Sequence, residues 1–153
     1  MFNLFRKKAT DFFSTEEKQL VTSAIQSAEH RTSGEIRVYV ESKCSYMNAL
    51  DRALEIFKKL KMENTAQRNA VLVYVAVKDR QLAIYGDKGI HEKVGDAFWN
   101  DAVKKMLSHF NAKNYAHGIA TVVQEVGEAL KEHFPYDAAT DINELPDDIV
   151  FGR

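Results

Sequence analysis

The chain has 153 residues, 45% of them hydrophobic and 28% charged. That length and balance predict one packed domain and exclude wholesale disorder. Lys and Arg total 21 against 22 Asp and Glu, a net charge of -1, so bulk charge supplies no basic field for nucleic acid. Cys44 is the single cysteine, which rules out an intramolecular disulfide and a Cys-rich zinc site. No apolar run is long enough to span a bilayer. At the N-terminus, Phe2, Leu4 and Phe5 precede Arg6-Lys7-Lys8, the reverse of the order in a secretory signal. The expectation is a monomeric cytoplasmic protein. Its segments are an extension at 1–13, a folded domain at 14–135 and an acidic tail at 136–153.

Ser14-Thr15-Glu16-Glu17 has the pattern of a capping box, and the apolar spacing after it predicts a helix from about Thr15 to His30. Ser33-Gly34 ends it. In Glu35 to Glu41, Ile36, Val38 and Val40 alternate with polar residues, which predicts a strand. A second helix is expected from about Tyr46 to Lys61. The uncharged run Ala70 to Val77 reads as a central strand covered on both faces. A tight polar connection, Lys78 to Gln81, leads to Leu82 to Tyr85, so these two strands form an antiparallel hairpin. Gly86-Asp87-Lys88-Gly89 breaks the pattern. Val94, Phe98, Ala102, Met106 and Phe110 mark a third helix, and Tyr115 to Leu130 a fourth, ending before Pro135. The tail holds Asp137, Asp141, Glu144, Asp147 and Asp148 against one base, Arg153; it is expected outside the core or loosely docked on it.

The order α-β-α-β-β-α-α predicts a three-layer α/β/α sandwich. A small mixed sheet of three or four strands would carry helices on both faces, its first two strands parallel through a right-handed crossover. Strand direction then sorts the polar residues by end. Glu35 and Asn69 begin the two parallel strands, and Asp87 follows the returning third strand. With Asp96 at the start of the next helix, these residues converge. Glu41, Ser42, Cys44, Asp79 and Arg80 collect at the opposite end. Carboxylate, amide and carbonyl oxygens are the donors that Ca2+ and Mg2+ take. The competing reading is an ordinary turn at Asp87 and Gly89, with Glu35 or Asp96 beside a helix N-terminus.

Gly34 to Val40, Asn69 to Ala76, Asp79-Arg80, Tyr85 to Ile90, Val94-Gly95-Asp96 and Tyr115 to Ile119 together resemble the TPM domain. That family includes the thylakoid lumen protein of photosystem II repair. The resemblance covers about residues 14 to 135. It implies an α/β sandwich, binding of divalent cations, and the acid phosphatase activity attributed to some members. By position, Glu35, Asn69, Asp87 and Asp96 fall on the family's polar positions. Two places depart from it: Asn69-Ala70 stands where many members have a small residue and glycine, and Gly86-Asp87-Lys88-Gly89 replaces the usual Gly-Tyr-Gly.

Two functions follow. In the first, Ca2+ or Mg2+ is held by Asp87 and Asp96 with Glu35 and Asn69, and Arg68 or Lys88 binds the phosphate of a phosphomonoester substrate. No Asp-x-Asp-x-Thr, Cys-x5-Arg or His-based phosphatase motif supports catalysis. In the second, the domain is a non-catalytic interaction or scaffold module in which metal stabilises a loop. Cys44 paired with a histidine, and zinc on His30, His109, His117 or His133, rank below both, because the histidines lack paired spacing.

Overall fold

Ser14 starts the first helix as its pattern predicts: its hydroxyl accepts from the Glu17 amide at 3.1 Å, and the Glu17 carboxylate accepts from the Ser14 amide at 2.8 Å. The computed structural model describes residues 9–44, 47–111, 114–136 and 149–152. A 3-10 turn, Ala9–Phe12, leads into α1 (Thr15–Glu29), β1 (Glu35–Glu41), α2 (Ala49–Lys59), β2 (Ala70–Ala76) and β3 (Gln81–Gly86). Then come α3 (Lys88–Asn111), α4 (Tyr115–His133) and β4 (Val150–Phe151).

The sheet has four strands in the order β3-β2-β1-β4. β1 and β2 are parallel, with Glu35 opposite Ala70 and Glu41 opposite Ala76. β3 returns antiparallel to β2, with Gly86 opposite Val71. Every residue of β2 is buried, as its uncharged sequence requires of a strand packed on both faces. Val71, Val73 and Val75 join Ile36, Val38 and Val40 in a core closed by α1, α3 and α4. Leu72 and Tyr74 join Ala53, Ile56 and Phe57 of α2 in a second core on the other face. Burying a side chain such as Ile56 stabilises the fold by about 1.5–3 kcal/mol, so α2 is held by its apolar stripe.

Three boundaries differ from the sequence expectation. α2 begins at Ala49 because Asn48 caps it, accepting from the Asp51 amide at 2.8 Å. It ends at Lys59, and Lys61 turns the chain with φ 57°; Tyr46, where the expected helix began, lies outside the described residues. α3 begins directly at Lys88, and Gly95 breaks it with φ 77° and ψ 175°. That φ is the left-handed region glycine tolerates. The hydrogen bond from Trp99 Nε1 to His91 Nδ1, 3.0 Å, ties the two pieces across the break.

Most of the acidic tail, residues 137–148, lies outside the described residues. Its end pairs with β1 in parallel, Val150 opposite Tyr39 and Phe151 opposite Val40. The Gly152 amide donates to the Val40 carbonyl at 2.7 Å, and the Phe151 ring lies 6.4 Å from that of Phe13. Ile149-Val150-Phe151 is the apolar run of an otherwise acidic segment, and burial of that run is what docks it.

Candidate functional site

Three loops meet where the parallel strands begin. The loop from α1 to β1 is pinned first: Thr32 Oγ1 donates to the Phe134 carbonyl and accepts from the Gly34 amide at 3.0 Å, while the Ser33 amide donates to the Phe134 carbonyl at 3.0 Å. Ser33 Oγ then receives Asn69 Nδ2 at 3.3 Å and Gln67 Nε2 at 3.1 Å. The Glu35 amide donates to the Asn69 carbonyl at 3.4 Å, and the Asp87 amide to the Ala70 carbonyl at 2.9 Å. Glu35, Asn69 and Asp87 are all buried, at 3%, 1% and 1% exposure. The expected convergence of these three positions at one end of the sheet is therefore present.

Asp87 is held tightly. Arg68 meets it with two parallel bonds, Nε to Oδ2 at 2.6 Å and Nη2 to Oδ1 at 2.8 Å, the bidentate geometry that makes Arg–carboxylate pairs strong. Oδ1 also accepts from the Lys88 amide at 2.8 Å, and the Asp87 carbonyl accepts from the His91 amide at 2.9 Å. Asp87 therefore opens α3 with its charge at the positive helix end. The hydrogen-bonded Asp87 carboxylate pushes the Arg68 pKa up, so the guanidinium stays charged. Arg68 itself sits at φ 53°. Its engagement with Asp87 departs from the expected role of phosphate ligand.

Gly89 lets the two loops touch. Its amide donates to the Arg68 carbonyl at 2.9 Å, and a Cβ there would lie 2.6 Å from that oxygen and closer still to the Gln67 carbonyl. Neither is a flexible side-chain end, so the backbone itself must move. Gly89→Ala is expected to cost about 1–3 kcal/mol by overpacking, read as a lowered midpoint in urea unfolding.

Asp96 and Lys88 face a different hollow. It runs beside β3, with a volume of about 540 Å³, and is lined by Leu82, Tyr85, Gly86, His91 and Trp99 among others. Asp96 is 89% exposed and its carboxylate lies 3.5 Å from His91 Nε2. It begins the part of α3 that follows the Gly95 break, which is the helix-start position of the competing reading. A smaller cleft of about 350 Å³ holds Arg68 and Asp87, with Lys58 and Glu63 in its lining. Glu63 was not among the expected residues. Its Oε2 is buried and accepts no hydrogen bond; its nearness in sequence to Arg68 is the only signal the chain offers.

The opposite end of the sheet carries a buried polar network. Glu41 lies at 5% exposure and receives Arg52 Nε and Nη2, both at 2.9 Å, and the Tyr74 hydroxyl. The Cys44 amide donates to Asp79 at 2.8 Å, which joins the two loops expected there. Burial, then the hydrogen bond to Glu41, raises the Tyr74 pKa above its ordinary 10.0. The folded state thus keeps the phenol proton where the unfolded chain would lose it. The stability Tyr74 contributes is complete below pH 10 and is lost as pH rises further. Unfolding free energy should fall above about pH 10 by up to roughly 1.4 kcal/mol per pH unit from this group. Denaturant titrations across that range should show the slope reduced in Tyr74→Phe.

The capacity of the first end to hold a cation rests on oxygen. Asn69 Oδ1 is buried and accepts no hydrogen bond, and Glu35 and Asp87 are buried residues at the same end of the sheet. Among the described residues no three His, Cys, Asp or Glu side chains form a metal-holding group. The donors are carboxylate, amide and loop carbonyl, which suit Ca2+ or Mg2+ and not a soft metal.

A mixed sheet between one helix and three, with polar loops gathered at the head of its parallel strands, defines an α/β sandwich domain. The TPM domain matches residues 7–129, and the chain belongs to that family. The NMR structure of BA42 protein from the psychrophilic bacterium Bizionia argentinensis is similar over 92% of this chain and 96% of that one, with 42% identity and a TM-score of 0.84. Two further solution structures share the fold at low identity. The N-terminal domain of cg2496 from Corynebacterium glutamicum is 15% identical over 77% of this chain and 74% of its own, with a TM-score of 0.62. The N-terminal domain of a protein from P. gingivalis is 17% identical over 82% and 83%, with a TM-score of 0.68. No curated protein matches the chain. Among the described residues no helix is long and apolar enough to cross a membrane.

Proposed function

We propose that this TPM domain binds a divalent cation, Ca2+ or Mg2+, at the head of its parallel strands, with Glu35, Asn69 and Asp87 as the side chains that hold it. The observation that supports the reading is the Asn69 amide oxygen, which is buried and accepts no hydrogen bond, at the end of the sheet where Glu35 and Asp87 are also buried. An unsatisfied buried acceptor costs about 1–3 kcal/mol, and a cation supplies what it lacks. Asp96 stands outside this set, since it is exposed and paired with His91. When bound, the cation neutralises buried carboxylate charge and can polarise a phosphoryl oxygen.

Hydrolysis of a phosphomonoester is the second reading. What favours it is the cleft beside Asp87, where Lys58 and Arg68 place two cations. Arg68 is tied to Asp87, so the non-catalytic reading, in which the cation fastens one loop to another, fits the geometry better. Calorimetric titration of CaCl2 and of MgCl2 into chelator-treated protein tests the binding. Saturable heat with a raised melting temperature supports it; neither heat nor a thermal shift contradicts it. Turnover of p-nitrophenyl phosphate that needs both metal and Asp87, lost in Asp87→Asn, would move the reading to catalysis.

A further inference from the structure

β3 leaves one of its two edges open. It is the outer strand on its side of the sheet, and among the described residues it pairs with β2 alone. The Asp87 amide, next after β3, points toward β2, since it donates to the Ala70 carbonyl at 2.9 Å. Backbone groups alternate sides along an antiparallel strand. Those of Ala83 and Tyr85 therefore also face β2, and those of Leu82, Ile84 and Gly86 face outward. Among the described residues no hydrogen bond reaches these outward amides and carbonyls.

The open edge lies in a recess. The hollow of about 540 Å³ is walled by every residue from Leu82 to Gly86, and their side chains alternate between the two faces of the sheet. A hollow that touches both faces of one strand runs along its edge. α2 flanks it with Leu50, 54% exposed, and α3 with Trp99, Asn100 and Val103. Leu82 to Gly86 spans about 13 Å at about 3.3 Å per residue, which suits an extended segment of about five residues. The charge of the recess is uneven. Asp96 lies beside His91, whereas the Lys88 side chain has no ion pair or hydrogen bond among the described residues. Lys78 and Arg80 are exposed before the other end of the strand, and Asp79 between them accepts from the Cys44 amide.

We propose that the free edge of β3 is a peptide-docking strand: an extended segment of a partner protein, apolar at alternate positions and carrying Asp or Glu, adds to the sheet as a fifth strand. A row of unpaired strand amides and carbonyls is a template for another main chain, and side-chain pockets beside it select the sequence. Apolar side chains of the segment settle on Leu50 at one wall and on Trp99 and Val103 at the other. Its carboxylate meets Lys88. A second copy of this chain fits the recess less well. Two-fold pairing centred on Ile84 brings Lys88 of one copy toward Arg80 of the other, like charges that repel, and the helices flanking both edges would compete for the same space. The docking needs no cation, so it stands or falls apart from the site at Glu35, Asn69 and Asp87.

The test starts from random octapeptides displayed on phage and selected on the immobilised full chain. Enriched sequences should alternate apolar and polar residues and include Asp or Glu. The resynthesised peptide should shift the fluorescence of Trp99, the chain's one tryptophan. It should also slow hydrogen exchange of the Leu82, Ile84 and Gly86 amides by at least about tenfold. Methylating alternate backbone nitrogens of the peptide should abolish binding in one register and spare it in the other. Lys88→Glu should raise Kd at least about threefold, and Leu50→Glu should raise it further; both residues are exposed, so neither change opens the core. No enrichment above the bare support overturns the proposal. So does a peptide that binds while those three amides exchange as before, or binding retained by both methylated forms. Slow exchange of the same amides without peptide, growing with protein concentration alongside a doubled sedimentation mass, overturns it in favour of a second copy.

Discussion

Replacing Arg52 by alanine is expected to be among the most destabilising single changes on the surface of α2, lowering the unfolding free energy by about 3 kcal/mol or more. Glu41 is almost completely buried on the central strand β1, and Arg52 covers it with two hydrogen bonds. Removing the guanidinium leaves a buried carboxylate that still accepts from the Tyr74 hydroxyl. A neutral phenol does not replace a positive charge. The double change Arg52→Met with Glu41→Leu should recover most of the loss, because no buried charge is then left uncompensated. Urea unfolding of the two variants decides this: a loss below about 1 kcal/mol for Arg52→Ala, the range of a solvated surface pair, would show that Glu41 is hydrated and not buried.

The second large effect is at Asp87. Asp87→Ala removes the side-chain acceptor of the Lys88 amide, worth about 0.5–2 kcal/mol as a helix-start contact, and releases Arg68 from its two bonds to the carboxylate. The functional consequence is larger than the structural one. In the proposed site Asp87 is the buried carboxylate that the cation neutralises, so Asp87→Ala should show no rise in melting temperature with Ca2+ at concentrations that saturate wild type. Asp87→Asn separates the two roles: it keeps an acceptor for the Lys88 amide and so holds more of the stability, but it should lose the Ca2+ response equally. A Ca2+-dependent rise retained in Asp87→Asn would remove Asp87 from the ligand set.

The order of elements was legible because each long element announces itself in one period. Ser14 and Glu17 mark the start of α1, the uncharged Ala70 to Ala76 could only be a strand covered on both faces, and Lys78 to Gln81 is too short for anything but a hairpin. From that order the topology followed, and with it the meeting of Glu35, Asn69 and Asp87. β4 was less visible: two residues after an acidic stretch carry no periodicity, and only the apolar Ile149-Val150-Phe151 hints at docking. The break of α3 at Gly95 was hidden because a glycine inside an apolar helical pattern has no local sign of its φ. Side-chain pairing was the least readable. Glu35, Arg37, Tyr39 and Glu41 read as the polar face of β1, yet α2 covers that face. A carboxylate on a central strand must have a counter-charge, but no spacing rule says that Arg52 supplies it for Glu41. Arg68 looked free for a phosphate because nothing in the sequence shows a loop residue turning back onto Asp87.

The central claim is that the cation site lies at the head of the parallel strands, and backbone amide shifts during a Ca2+ titration of 15N-labelled protein test it most directly. The amides of residues 33–35, 63–70 and 86–89 should move together, saturate with one binding constant, and stay still in Asp87→Asn. Shifts confined to the acidic residues 137–148, growing without saturation while the Asp87 and Asn69 amides remain fixed, would contradict it.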